Sequence, residues 1–220
     1  MSEYTKNIQK RIEQIPYNQI IIASELYFKY FSEVAEPTYY KILERMTKQD
    51  RLIHLTKGIY YRPKINRFGK IPITEEDIAQ YYIQTDNGIV IGYNLYNSKG
   101  ITTQISKKIE ILSTELAEEK KNIGNVVINK VKIQLDENTK PVIETLEILQ
   151  NYYKIENINN ERLMLYMNEF AKRYSDKTTQ YVIENRKYKK STIAFLAAFL
   201  DYLEVNHSLN RYLSSLSRYA

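Results

Sequence analysis

The chain has no cysteine and no tryptophan, and only two histidines, six glycines and five prolines in 220 residues. Without cysteine, disulfides and thiolate metal sites are ruled out, and a reducing compartment is the easiest fit. None of the six glycines stands in a G-x-G-x-x-G or Walker spacing, so no phosphate-cradling loop is expected. His54 and His207 are far apart, with no ligand-spaced carboxylates around either, which argues against a zinc site or a Ser-His-Asp arrangement. Long apolar runs are missing as well. Ile193 to Leu200 is the longest, far short of the roughly 20 residues that span a bilayer. The N-terminal segment MSEYTKNIQKRIEQIP is too polar for a secretory signal. These absences predict a cytoplasmic protein that is not an enzyme, with no catalytic residues, no metal, no cofactor and no membrane partner.

What is present is enough apolar material for a core, 43% of residues, and a charge that is unevenly placed. Residues 1–70 carry 13 Lys+Arg against 7 Asp+Glu, whereas residues 71–220 carry 19 against 19. The whole excess of +6 therefore sits on the first third of the chain. Such a split predicts a polyanion-binding module joined to a neutral one. A solvated basic surface without a partner would give the same count. The 21 tyrosines favour no function, because Tyr is a common core and boundary residue.

Periodicity organises the basic third. Ile8, Ile12 and Ile15 share one face of a helix that ends before Pro16. Ile20 to Ile22 reads as a short β-branched strand. Ser24 then caps a helix through Leu26, Tyr27 and Tyr30. Pro37, suited to a first helical turn, starts a helix with two faces. Tyr39, Ile42, Leu43 and Met46 form its apolar stripe, while Thr38, Lys41, Arg45 and Lys48 recur at i, i+3, i+4, i+7 spacing away from it. A helix anchored on one side and basic on the other is what a recognition helix requires. Tyr39 and Tyr40 leave open which of the two packs inward and which touches DNA. Two short strands follow, Arg51 to His54 and Gly58 to Tyr61, joined by a turn over Thr56, Lys57 and Gly58. Lys57 at that turn, and Arg62, Lys64, Arg67 and Lys70 beyond, are expected near a phosphate backbone. Pro63 and Pro72 bracket an expected linker. The expected fold class is α+β: a winged helix-turn-helix over residues 1–70, then a mixed strand and helix domain over residues 71–220 that ends in a helical bundle.

In the second part, Thr74-Glu75-Glu76-Asp77 reads as a helix cap with acids at the positive end of the dipole. A metal-binding acid cluster is the rarer alternative. Gly88 to Gly92 is an apolar run bounded by glycines, and Tyr93 to Tyr96 a short helix. Strands are expected at Ile109 to Ser113, Val126 to Ile128 and Val131 to Leu135, with Asn129-Lys130 as a hairpin turn. Helices are expected near 141–152, 160–174, 176–185, 188–204 and 207–217. The segment STIAFLAAFLDYL, apolar nearly all round, is the expected central helix of this half. Lys187 to Lys190, in the run RKYKK, reads as a solvated helix start or as a second nucleic-acid patch.

Three signals thus converge on duplex DNA: the local charge excess, the two-faced helix, and the basic hairpin after it. Thr38, Tyr39, Lys41, Arg45 and Lys48 are the candidate recognition-helix contacts, with Arg45 able to bind guanine through two hydrogen bonds. Lys57, Arg62 and Lys64 are candidate phosphate contacts that would set affinity and its salt dependence.

The stretch YYKILERMTKQDRLIHLTKGIYYRPK, followed by FGKIPITEEDIAQYY, resembles the winged-helix start of the AbiEi-type antitoxins of bacterial abortive-infection (type IV) toxin–antitoxin systems. Leu43-Glu44-Arg45 and Gly58-Ile59-Tyr60-Tyr61-Arg62-Pro63 carry that likeness. It continues in order through IGYNLYN, TTQISKKIEILST, KVKIQL, YKKSTIAFLAAFLDYL and LNRYLSSLS, and departs at Lys99-Gly100-Ile101-Thr102. The resemblance implies a transcriptional autorepressor that binds inverted repeats in its own promoter. It implies a C-terminal antitoxin half that counteracts a nucleotidyltransferase-like toxin, and no enzymatic activity of its own. A stand-alone winged-helix regulator whose second half senses a ligand or dimerises is the alternative. A nucleic-acid enzyme using Glu75 to Asp77 is the more distant one.

Overall fold

The computed structural model describes residues 3–84 and 87–214. The chain divides into two compact units, Met1–Tyr81 and Tyr82–Ala220. The fold is mixed α+β, with nine α-helices and three sheets among the described residues.

The first unit opens with α1 (Glu3–Glu13), whose Thr5, Ile8 and Ile12 are buried. β1 (Ile20–Ile22) leads directly into α2 (Ala23–Tyr30), so Ser24 lies inside the first helical turn and is not its cap. The backbone N–H of Ala23 is satisfied instead by the Gly58 carbonyl at 2.8 Å. α3 (Glu36–Lys48) follows, with Pro37 in its first turn. β2 (Ile53–Thr56) and β3 (Ile59–Tyr61) form an antiparallel pair, and β1 joins the other edge of β3, giving the order β1-β3-β2. The turn between β2 and β3 is made by Lys57 and Gly58, and Gly58 takes φ +75°, which a side chain would strain. Ile8, Ile12, Tyr27, Phe31, Tyr39, Ile42, Leu43, Met46 and Leu52 form the core of this unit.

The expected linker between Pro63 and Pro72 is a second hairpin, β4 (Lys64–Asn66) and β5 (Gly69–Ile71), paired Lys64↔Ile71 and Asn66↔Gly69. Both strands are three residues long, too short to show a periodic pattern in sequence, and only Ile71 is even half-buried. α4 (Glu75–Ile83) begins with a reciprocal cap. The Thr74 hydroxyl accepts from the Asp77 N–H at 3.1 Å, and the Asp77 carboxylate accepts from the Thr74 N–H at 3.1 Å. This cap accounts for Asp77 within the acidic cluster.

The second unit is built on a four-stranded sheet of β6 (Gly88–Ile91), β7 (Ile109–Ser113), β8 (Lys120–Ile123) and β9 (Val126–Lys130), in the order β6-β7-β9-β8. β7 and β9 are parallel and the other pairs antiparallel. Asn129 and Lys130 pair with Leu112 and Ser113, so they belong to the ladder and are not a turn. The turn lies at Gly124-Asn125, after β8, whose KKNI sequence has only one apolar residue. Val131, Ile133 and Leu135 are buried in alternation, yet this stretch is no strand among the described residues.

Four helices follow α5 (Gly92–Ser98): α6 (Thr139–Asn151), α7 (Asn160–Lys172), α8 (Asp176–Asn185) and α9 (Lys190–Tyr202). The central helix is α6, which packs on α5, α7, α8, α9 and β6. α9 buries Ile193, Ala194, Leu196, Ala197 and Leu200, but Tyr202 is exposed and Phe195 and Phe199 are half-buried. It packs on α6 and on the Leu209–Tyr212 turn and leaves its Phe195, Phe199 and Tyr202 side partly or fully exposed, so it is a flank and not the centre. Within the expected 207–217 helix, only a short 3-10 turn, Leu209–Tyr212, forms among the described residues, and positions 215–217 lie outside them. No helix among the described residues is long and apolar enough to cross a membrane.

Candidate nucleic-acid interface

The spacing of α3 places Tyr39, Ile42, Leu43 and Met46 in the core, each no more than 2% exposed. Thr38, Lys41, Arg45 and Lys48 are all exposed on the remaining face. At 13 residues the helix is about 20 Å long, enough to lie along a major groove. Its basic face carries one acid. Glu44 pairs with Lys48 at 2.6 Å, and that hydrogen bond, aided by the charges of Lys48, Lys41 and Arg45, holds its carboxyl below the usual range. Both partners are well exposed, so the pair contributes little and Lys48 can exchange Glu44 for a phosphate.

Tyr39 is not on the accessible face. Its ring is fully buried between Tyr27 and Phe31, with ring centroids 5.2 and 5.7 Å away, and its hydroxyl donates to the Ala23 carbonyl oxygen at 3.0 Å. Burial pushes the phenol well above its ordinary pKa. As a DNA-contact candidate Tyr39 is therefore corrected to a core residue. Tyr40 is half-buried, edge-on to Tyr39 at 5.3 Å, and is the tyrosine of this pair with a surface.

Lys57 is exposed at the turn of β2 and β3. His54 is exposed on β2, with its ring 4.9 Å from that of Tyr60 across the ladder. Arg62, an expected phosphate contact, is engaged elsewhere. Its guanidinium donates to the carbonyl oxygens of Glu13 and Ile15 and lies over the Tyr17 ring, 4.3 Å from the centroid. The Glu13 carbonyl ends α1, where carbonyls lack intrahelical partners and attract a cation, and Ile15 lies two residues beyond it. Arg62 is thus corrected to a capping role. Arg51 forms an ion pair with Glu13 at the same helix end. Lys64 is exposed, but it leaves the β2–β3 ladder at the end opposite Lys57, because Tyr61 pairs with Ile53 whereas Lys57 turns beyond Thr56. Lys57 and Lys64 are therefore not neighbours on one wing.

Phe68 carries no periodic or motif signal in the sequence. It stands with Arg67 at the turn of the β4–β5 hairpin, 82% exposed. Only its place between two prolines in a basic run could have marked it. In the second unit the buried Glu147 carboxylate pairs with the half-buried Arg186 at 2.6 Å, a contact across 39 residues that no local spacing marks. Arg186 opens the run RKYKK, and its side chain is directed inward, away from a nucleic-acid patch. His207 bonds Asp201 at 3.1 Å and accepts from the Leu209 N–H at 3.2 Å, which is a structural role. Among the described residues no three His, Asp or Glu side chains gather as a metal site.

A model described as a family of unknown function (DUF6088) matches residues 7–158. None of the curated proteins matches. Among solved structures, the chain is similar to the protein RV2827C from Mycobacterium tuberculosis, with 10% identity over 98% of this chain and 81% of that one and a TM-score of 0.49.

Proposed function

The chain belongs to the DUF6088 family of unknown function, and within it we propose a DNA-binding regulator whose first unit is a winged helix-turn-helix. The observation that carries this reading is α3. One of its faces is closed into the core, the other presents Thr38, Lys41, Arg45 and Lys48, and a hairpin with Lys57 at its turn follows at once. The order helix, strand, helix, helix, strand, strand, with the first strand paired to the last, supports the winged assignment. Lys41 and Arg45 read base edges, and Lys48 and Lys57 hold phosphates.

The likeness of the sequence to AbiEi-type antitoxins extends the proposal. The protein represses its own promoter through inverted repeats, and its part from residue 71 to 220, with 19 Lys+Arg against 19 Asp+Glu, counteracts a nucleotidyltransferase-like toxin. The reading as a regulator whose second unit dimerises draws support from the uncovered aromatic face of α9, where Phe195, Phe199 and Tyr202 line an open groove with Met164.

Selection of the full-length chain against a pool of randomised duplexes tests the DNA reading. Wild type is expected to enrich one sequence, and Lys41→Ala with Arg45→Ala to enrich none while melting like wild type. A wild-type protein that enriches nothing overturns the reading. Growth on co-expression of residues 71–220 with the neighbouring gene product tests the antitoxin extension, which fails if that gene product is not toxic or the fragment gives no rescue.

A further inference from the structure

From Arg51 to Thr74 the chain carries six Lys or Arg and no Asp or Glu. Half of those cations lie on the β4–β5 hairpin: Lys64, Arg67 and Lys70. An isolated two-stranded hairpin is marginal in water, yet this one is tied down at two points and closed by a hydrogen bond within its own turn. The Lys64 N–H donates to the Asn18 side chain at 3.2 Å, the Phe68 N–H donates to the Asn66 side chain at 2.8 Å, and Lys70 pairs with Asp50. Asp50 lies just past the C-terminal end of α3, so the hairpin is fastened beside the basic helix.

Its tip is unusual for a fastened element. Phe68 is 82% exposed and Ile65 68% exposed, so the fold gains almost nothing from their apolar surface. The Arg67 guanidinium lies over the Phe68 ring, 4.6 Å from its centroid. A guanidinium and an apolar ring held together at the end of an acid-free projection match what enters a minor groove. The cation is drawn by the strong negative potential of a narrow A·T-rich groove, and the ring can wedge between base steps. Lys57 lies at the other end of the β2–β3 ladder, so the two turns address different stretches of one duplex.

We propose that the β4–β5 hairpin is a second DNA-contacting element, which places Arg67 and Phe68 in the minor groove flanking the sequence under α3, on the side away from Lys57. This rests on the DNA-binding reading above. The test uses the full chain and duplexes of about 30 base pairs, roughly three helical turns. Each carries the selected sequence, flanked by A·T or by G·C pairs.

Wild type is expected to prefer the A·T-flanked duplex. Phe68→Ala is expected to weaken that duplex about tenfold, the scale of one lost aromatic contact. Arg67→Ala is expected to lower the salt slope by about one and remove the flank preference. Both side chains are exposed, so both variants are expected to melt like wild type and to enrich the wild-type sequence. If both bind the two duplexes as wild type does, while Lys41→Ala with Arg45→Ala still fails, the hairpin proposal falls and the α3 reading stands. If wild type enriches no sequence, both fall. If the variants lose binding to phosphatidylserine vesicles and keep DNA binding, the hairpin is a lipid contact and the proposal is overturned.

Discussion

The Tyr39 hydroxyl donates to the Ala23 carbonyl oxygen at 3.0 Å, which fastens the first turns of α3 to the start of α2. Beside it the Tyr27 hydroxyl donates to the Val34 carbonyl at 2.9 Å, and so spans the loop between the two helices. The position of α3 against α2 is therefore set from inside the core, by residues of its buried face.

Tyr39→Phe removes one buried hydrogen bond and leaves the ring. It is expected to cost about 1 kcal/mol of stability without altering the selected DNA sequence. Tyr39→Ala opens a cavity and is expected to cost about 3–5 kcal/mol. Chemical denaturation gives the stability, and a gel-shift titration of the Phe variant gives the affinity. A changed sequence preference in the Phe variant would return Tyr39 to the contact surface.

Lys57 and Arg62 separate affinity from stability. Lys57→Ala is expected to weaken all duplexes alike and to lower the salt slope by about 0.9, with melting unchanged. Arg62→Ala strips the carbonyls of Glu13 and Ile15 of their donor, and is expected to cost about 1–2 kcal/mol given its partial exposure. Its salt slope should stay that of wild type. A reduced slope for Arg62→Ala would mean that the guanidinium leaves α1 to reach DNA.

Asp176 gives a pH signature to the second unit. Its partial burial alone would raise its pKa. The hydroxyl and N–H of Ser208 and the donors of Tyr174 and Gln180 outweigh that and bring it down to about 2. A depressed carboxylate pKa stabilises the fold above the unfolded value, about 3.9, and that contribution is lost as pH falls through about 2. Stability is expected to drop between these values, and Asp176→Asn to flatten the profile there. Parallel acid-denaturation curves for wild type and variant would refute the assignment.

Glu147 and Arg186 are paired at 2.6 Å, with side chains 6% and 25% exposed. Removing one charge strands the other, so Arg186→Met is expected to cost about 3–5 kcal/mol. Glu147→Leu together with Arg186→Met is expected to recover most of that loss. A double variant as unstable as the single one would show that the pair stabilises more than its isolation costs. Thermal and denaturant unfolding of both variants decides this.

What could be read in advance follows from periodicity. Ile42, Leu43 and Met46 face inward because 3.6-residue spacing puts them on one side of α3, and Lys41 and Arg45 face outward for the same reason. Tyr39 against Tyr40 could not be settled that way, since a tyrosine suits a core or a boundary equally. β8 is not legible in the sequence because an edge strand can be polar, and β4–β5 because its side chains are mostly exposed among the described residues. The apolar content of α9 points to the centre, but α6, with a buried Glu147 that reads as a surface residue, holds that position.

The sequence by itself determined where the positive charge lies, which helix carries a core face and a basic face, and where α1, β1, α2, α3 and β3 fall along the chain, whereas β2 lies at Ile53–Thr56 and not at Arg51 to His54. These are local properties, set by residue spacing and turn chemistry. Only the tertiary structure decided which basic residues remain available. Arg62 is drawn to the end of α1, Lys64 is carried to the far end of the ladder from Lys57, and Phe68 is raised on a hairpin fastened through Lys70 and Asp50. A side chain's partner depends on which distant backbone groups lack one, and that is settled only when the elements pack.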